Sequence, residues 1–163
     1  LHGTAPGAIR RSLASFQGVK RRFDIHLDTP RIAYIDDYAH HPNEIKAAIS
    51  SMRDIFPGRK LLGIFQPHLY TRTRDFAPEF AEALSGLDSL ILLPVYPARE
   101  EPIPGVSAEL IFDRVTLDDK VLIAKEQLMD YLKTREIDCL VTFGAGDVDR
   151  FIEPIENWLK SLA

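Results

Sequence analysis

The sequence has a single cysteine, Cys139. One thiol excludes an internal disulfide framework, and the apolar run Leu140-Val141 marks it as a buried small hydrophobe. Long hydrophobic runs are missing as well. None approaches the roughly 20 residues of a membrane-spanning helix, and no signal peptide is visible. The expectation is a cytoplasmic protein with no membrane role. The pattern G-x-x-x-x-G-K-[ST] is absent, so this chain by itself cannot cradle ATP phosphates in the P-loop manner. Aromatic residues are sparse around its basic triplet, Lys20-Arg21-Arg22. That scarcity, with a net charge of -4, argues against a nucleic-acid partner. There is no initial methionine, which suggests a piece of a longer protein.

What is present is enough for one domain: 163 residues, 45% of them hydrophobic. After a turn, Ile9, Leu13 and Phe16 share one face of a short amphipathic helix. The stretch "VKRRFDIHLDTPRIAYID" reads as two strands joined at Asp28-Thr29-Pro30. Apolar strands then alternate with helices. Strands are expected at Ile32–Asp36, Leu61–Gln66, Leu90–Val95, Val121–Ala124 and Cys139–Phe143. Pro42 opens a helix whose buried face is Ile45, Ala48, Ile49 and Met52, ended by Pro57-Gly58. A second helix is expected from about Asp75, with Pro78 in its first turn and Phe76, Phe80, Ala83 and Leu84 as its buried face. Shorter helices are expected at Ala108–Arg114, Glu126–Thr134 and Val148–Leu159. Near-continuous apolar strands alternating with helices specify an α/β fold: a mostly parallel sheet covered on both faces. In such sheets ligands sit beyond the carboxyl ends of the strands.

Four polar segments fall at those ends: "DDYAHHPNE", "QPHLYTRTRD", "VYPAREEPIPG" and "FGAGDVD". In the first, His40 and His41 are adjacent. Side chains of adjacent extended residues point apart, so they chelate one ion poorly, and no third ligand is near in sequence; no metal site is expected. His41 and Asp36 suit either a role in the site or simple helix-start and strand-end chemistry. Asp37, Tyr38 and His40 offer three kinds of hydrogen-bonding group, more than a turn requires. In the second segment His68, Arg72 and Arg74 suit a carboxylate or phosphate, or else form a solvated charge run over apolar surface. The glycines of the fourth could admit a ligand to the backbone, but a tight turn accounts for them too, and they lack the dinucleotide pattern.

Taken in order, "FQGVKRRF", "DDYAHHPNE", "FQPHLYTRTRDF", "EEPIPG" and "TFGAGD" resemble the C-terminal part of the Mur ligases, from about Ile9 to the end. The likeness is to the branch that joins L-alanine to the lactyl carboxylate of UDP-N-acetylmuramate in peptidoglycan synthesis. The branch that recycles murein peptides shares the aspartate-histidine motif but lacks "QPHLYTRTR". The resemblance implies a Rossmann-like domain over residues 23–163. Residues 1–22 would be the tail of a central ATP-binding domain and a hinge. It implies ATP and magnesium, held mainly by that central domain, and an acyl phosphate that the alanine amine attacks. It implies that Arg22 and Asp37 contact the nucleotide, that Tyr38, His40, His68 and Arg72 line the amino-acid site, and that His40 and His68 serve the chemistry. Leu69 departs from the family, where arginine is common. A fragment of this kind would be inactive alone. The readings from other classes are a stand-alone nucleotide-binding module and a nucleic-acid binder acting through Lys20–Arg22.

Overall fold

A computed structural model describes residues 3–16 and 18–162. Leu1, His2 and Gln17, which belong to the expected tail and hinge, lie outside the described residues. The elements are α1 (Pro6–Ala14), β1 (Asp24–Asp28), β2 (Ala33–Asp37), α2 (Pro42–Ile55), β3 (Leu61–Phe65), α3 (Tyr70–Leu84), β4 (Ser89–Leu92), α4 (Glu109–Phe112), β5 (Lys120–Leu122), α5 (Leu128–Leu132), β6 (Cys139–Phe143) and α6 (Ile152–Lys160). Single turns of 3-10 helix at Lys125–Gln127 and Asp147–Phe151 lead into α5 and α6.

The six strands form one sheet in the order β1-β2-β6-β3-β4-β5. All pairings are parallel except β1 with β2, a hairpin that caps one edge. Strand side chains alternate between two cores, as a period of two requires. Ala33, Ile35, Leu61, Phe65, Leu90, Leu92, Cys139, Val141 and Phe143 meet α2, α3 and α4 on one face. Tyr34, Leu62, Ile64, Ile91 and Leu140 meet α5 and α6 on the other. The chain steps outward from β2 through β3 and β4 to β5 with its helices on the first face. It then returns to the middle of the sheet through α5 with its helix on the second. One crossover handedness demands this change of face. The reversal puts a switch point at β6, where the loops after β2, β3 and β6 diverge.

Three expectations change. α3 starts at Tyr70 rather than near Asp75, which places Arg72 and Arg74 on its first turns. Pro78 still marks a boundary: the backbone is non-helical at Phe76, two residues before it, so α3 is kinked there. Residues 18–23 form no strand beyond a single Val19–Arg22 bridge, and Arg21 and Phe23 take positive φ of 60° and 46°. Finally, α1 ends at Ala14, short of Phe16, and buries none of its residues. Leu13 and Phe16 stand 69% and 63% exposed.

Candidate substrate site at the carboxyl edge of the sheet

Beyond β2 the chain turns through Tyr38, Ala39 and His40 before Pro42 opens α2. Helix α2 starts without a side-chain cap from His41. Instead, Glu44 reaches back, and its Oε2 accepts the backbone N–H groups of His40 at 3.0 Å and His41 at 3.2 Å. The His41 ring packs edge-on against Phe76 at 4.9 Å, tying the start of α2 to the kink in α3. His41 is thereby structural.

His40 points the other way. Its Nδ1 lies 2.9 Å from the Tyr38 carbonyl. A carbonyl only accepts, so Nδ1 carries the proton, and in the neutral ring Nε2 is left with the lone pair. His40 meets Tyr38 edge-on at 5.1 Å and His68 edge-on at 6.1 Å. Two loops thus bring the two histidines together. Burial lowers the pKa of His68 below the ordinary imidazole value, and the Arg72 and His40 charges add to the effect while Glu100 opposes it. His68 is therefore neutral at pH 7. Two buried nitrogens here have no hydrogen-bond partner among the described residues, His68 Nδ1 and Arg72 Nη1. A buried cationic donor left unpaired is costly, and it is the kind of group a bound anion satisfies.

On the other side of Tyr38 lies the basic triplet, whose members divide. Arg21 is built into the fold. Its Nε donates to Asp36 Oδ2 at 3.0 Å, its Nη2 donates to the Gly144 carbonyl at 2.7 Å, and its guanidinium lies 5.1 Å from the Tyr38 ring centroid. Its carbonyl accepts the Tyr38 N–H at 2.6 Å. Asp36 is fully buried and also accepts from Thr142 Oγ1 at 2.6 Å. The single Thr142 hydroxyl proton goes to Asp36, so the Tyr34 hydroxyl 3.3 Å away must donate to Thr142. Burial lifts the Asp36 carboxyl above the ordinary carboxylate range, with Thr142 and Arg21 pulling it back. Asp36 is therefore an anchor inside the domain. Arg22, by contrast, leaves 53% of its side chain in solvent, with its guanidinium 5.5 Å from the Tyr38 ring centroid and 3.7 Å from the Glu44 carboxylate. It borders a shallow groove of about 350 Å³ shared with Phe23, Asp37, Glu44, Ala47, Ala48 and Ser51. Asp37 accepts one backbone N–H on each oxygen, from Phe23 and Ala39, both at 2.8 Å. Those bonds fix its carboxylate at the groove with lone pairs to spare.

The glycines of "GAGD" answer a different need from ligand access. A Cβ on Gly146 would fall 2.4 Å from Gln66 Oε1 and 2.7 Å from Tyr96 Cγ, and one on Gly144 would lie 3.0 Å from the Gln66 carbonyl. The loop is glycine because other parts of this chain fill the space. Gln66 itself donates to Asp147 Oδ1 at 2.8 Å and accepts the Val148 N–H at 3.0 Å.

The edge therefore unites Tyr38, His40, His68 and Arg72, and sets Arg22 and Asp37 on the adjoining groove. Sequence reasoning passed over three participants. Tyr96 stacks on His68. Glu100 accepts the Thr71 N–H at 3.0 Å and the Thr71 hydroxyl at 2.5 Å, capping α3 from a distant loop. Arg21 was not separated from its neighbours. Tyr96 and Glu100 both lie in the segment "VYPAREEPIPG" already assigned to this edge, and Arg21 in the basic triplet, but no role was given to any of them singly. Among the described residues no group of three or more His, Cys, Asp or Glu could hold a metal ion. None of their helices is long and apolar enough to cross a membrane.

Comparison with known families decides what this edge belongs to. Residues 21–146 match the family described as "Mur ligase, glutamate ligase domain". The chain belongs to the Mur ligase family. Among curated Mur ligases it is similar to UDP-N-acetylmuramate--L-alanine ligase of Parabacteroides distasonis, 52% identical over 98% of this chain and 34% of that protein. It is also similar to the ligase of that name from Porphyromonas gingivalis W83, 50% identical over 99% of this chain and 36% of that protein. The chain thus spans about a third of the length of these relatives. Among solved Mur ligases, the UDP-N-acetylmuramate-alanine ligase of Thermotoga maritima superposes with a TM-score of 0.73 at 27% identity, over 96% of this chain and 34% of that one.

Proposed function

We propose that this chain is the C-terminal third of an ATP-dependent ligase that joins L-alanine to the lactyl carboxylate of UDP-N-acetylmuramate, and that its carboxyl edge binds the amino acid. The observation that carries the reading is a pair of buried nitrogens, Arg72 Nη1 and His68 Nδ1, without a hydrogen-bond partner among the described residues. Free L-alanine has a carboxylate and an amine on one carbon. A guanidinium takes the carboxylate through parallel hydrogen bonds. The amine needs an acceptor that does not repel it, and the neutral His68 ring and the His40 Nε2 lone pair are suited to that. An amine held beside neutral imidazoles can also lose its extra proton, which it must do before attacking a carbonyl. Tyr38 closes the side of the site between the two arginines.

ATP would supply the phosphoryl group that activates the lactyl carboxylate. This chain would hold the nucleotide only at its periphery, through Arg22 and the Asp37 carboxylate at the shallow groove. The magnesium ion would be held by another domain. The exposed Leu13 and Phe16 are suited to docking against that domain, with residues 1–22 as tail and hinge. Closure would bring the amine to the activated carboxylate and exclude water, which is where a domain of this kind adds rate. ATP and a nucleotide sugar as substrates suit a cytoplasmic enzyme.

In the full-length ligase, Arg72→Ala should raise KM for alanine far more than KM for ATP. Equal effects on both would sink the carboxylate role. The chain alone should release no phosphate when given L-alanine, ATP and the UDP-sugar.

A further inference from the structure

We infer that Tyr96 is a positioning residue for His68, and that Gly146 is glycine so that Tyr96 can occupy its seat. The inference deepens the proposed function and rests on the role given there to His68.

The loop after β4 runs beside the loop after β3 as one more step of parallel pairing, with Tyr96 opposite His68. Two main-chain bonds bracket the histidine. The Tyr96 N–H donates to the Pro67 carbonyl at 2.8 Å, and the Leu69 N–H donates to the Tyr96 carbonyl at 2.9 Å. The residues on either side of His68 are thus both bonded to Tyr96. Its ring then stacks on the imidazole, with centroids 5.7 Å apart and planes 24° apart. Leu69, immediately after, sits at φ 73°, a conformation that non-glycine residues adopt at a cost and that this bracket helps to hold.

The back of Tyr96 is equally constrained. A methyl group on Gly146 would fall 2.7 Å from Tyr96 Cγ and 2.8 Å from its Cβ, closer than side chains pack. The same methyl would fall 2.4 Å from Gln66 Oε1; Gln66 is pinned by Asp147 and Val148, and Asp147 is itself held by Lys125 at 2.5 Å. Segments after β3, β4 and β6 therefore converge on one ring, and that ring faces His68. Among the described residues the Tyr96 hydroxyl has no hydrogen-bond partner, so the ring and not the hydroxyl does the positioning. The other groups facing His68 are His40 on the loop after β2, Arg72 on α3 and Glu100 on the loop after β4.

The first test uses this chain and the NMR titration of its histidine side chains. In the wild type His68 titrates below the ordinary imidazole range. Tyr96→Ala should return it toward that range, because the ring that shields it is gone, while Tyr96→Phe should keep the wild-type titration. Gly146→Ala should shift His68 in the wild-type background and shift it less when Tyr96→Ala is already present, since the part of the clash that reaches His68 runs through Tyr96 while the rest falls on Gln66 Oε1. Far-UV circular dichroism verifies that each variant is folded, and Tyr96→Leu serves where Tyr96→Ala is not. An unshifted His68 in folded Tyr96→Ala or Tyr96→Leu, or a Phe variant as displaced as the Ala variant, overturns the inference. The second test uses the full-length ligase. Misplacing a binding group by about 1 Å can cost as much as a hundredfold. KM for alanine should therefore rise about tenfold or more in Tyr96→Ala, with KM for ATP changed less than about twofold, and Tyr96→Phe should recover most of the loss. If His68 moves in the first test while KM for alanine does not, the seat stands and the amino-acid role of His68 falls.

Discussion

Arg21→Ala removes one half of a buried ion pair. In the native chain the guanidinium bonds to Asp36, caps the Gly144 carbonyl and lies over Tyr38. Without it, the fully buried Asp36 carboxylate keeps, among the described residues, the Thr142 hydroxyl as its hydrogen-bond donor. Breaking a buried pair by deleting one partner costs about 3–5 kcal/mol, because the survivor is left uncompensated. The remaining hydrogen bond, and the option of taking up a proton, point to the lower end, about 3 kcal/mol at pH 8. For a chain of this size each kcal/mol is worth about 2–4 °C, so Tm should fall by about 6–12 °C. The pH dependence has a definite sign. Burial already raises the Asp36 pKa in the folded state. A group whose folded pKa lies above its unfolded value, about 3.9 for aspartate, favours folding below the unfolded pKa and loses that contribution as pH rises through the folded one. Removing the Arg21 charge lifts the folded pKa further. The gap between variant and wild type should therefore be narrow near pH 4.5 and widen toward pH 8. Urea unfolding followed by far-UV circular dichroism at those two pH values measures it. A loss below about 1 kcal/mol at pH 8, or an equal gap at both values, would refute the idea that Asp36 depends on Arg21.

Two further outcomes follow from the cores. A Cβ on Gly63 would lie 2.4 Å from a Leu87 methyl, so Gly63→Ala overpacks the interface between β3 and the helix face above it, and denaturant unfolding should register a loss of about 1–3 kcal/mol. Burial pushes the Cys139 thiol up to about 12, so an aromatic disulfide reagent at pH 8 should label the native chain about a thousandfold more slowly than the chain in urea. Comparable rates would mean that β6 opens freely.

Much of the sheet was legible because burial on both faces writes strands as continuous apolar runs, as in Leu61–Phe65 and Cys139–Phe143. The first turn of α3 was not. Leu69 stands at its N-cap position with a positive φ and no capping side chain of its own. The compensation comes from Glu100, 29 residues beyond the Thr71 N–H that it accepts, and no local pattern announces it. The same distance hid the division of labour in Lys20-Arg21-Arg22. Arg21 and Arg22 look alike in sequence, and only the contact with Asp36, 15 residues on, makes one internal and leaves the other at the groove. Asp36 and Asp37 differ by strand alternation, which sends one toward Thr142 and the other toward the groove. The histidines and Arg72 were legible as chemistry. Their proximity depended on which loops the topology brought to one edge.

That topology also governs how the chain must fold. β2 and β3 are not neighbours; β6, the latest strand, lies between them and bonds to both. The buried bond from Thr142 to Asp36 joins residues 106 apart. Until β6 leaves the ribosome, β2 and β3 each present an unpaired apolar edge, and the sheet has no centre. Closure is therefore late and concerted, with the loop entropy spent before the pairing is gained. The nascent chain is exposed to edge-to-edge association for most of its synthesis, and a chain that stops short of Phe143 should aggregate rather than persist as a smaller domain.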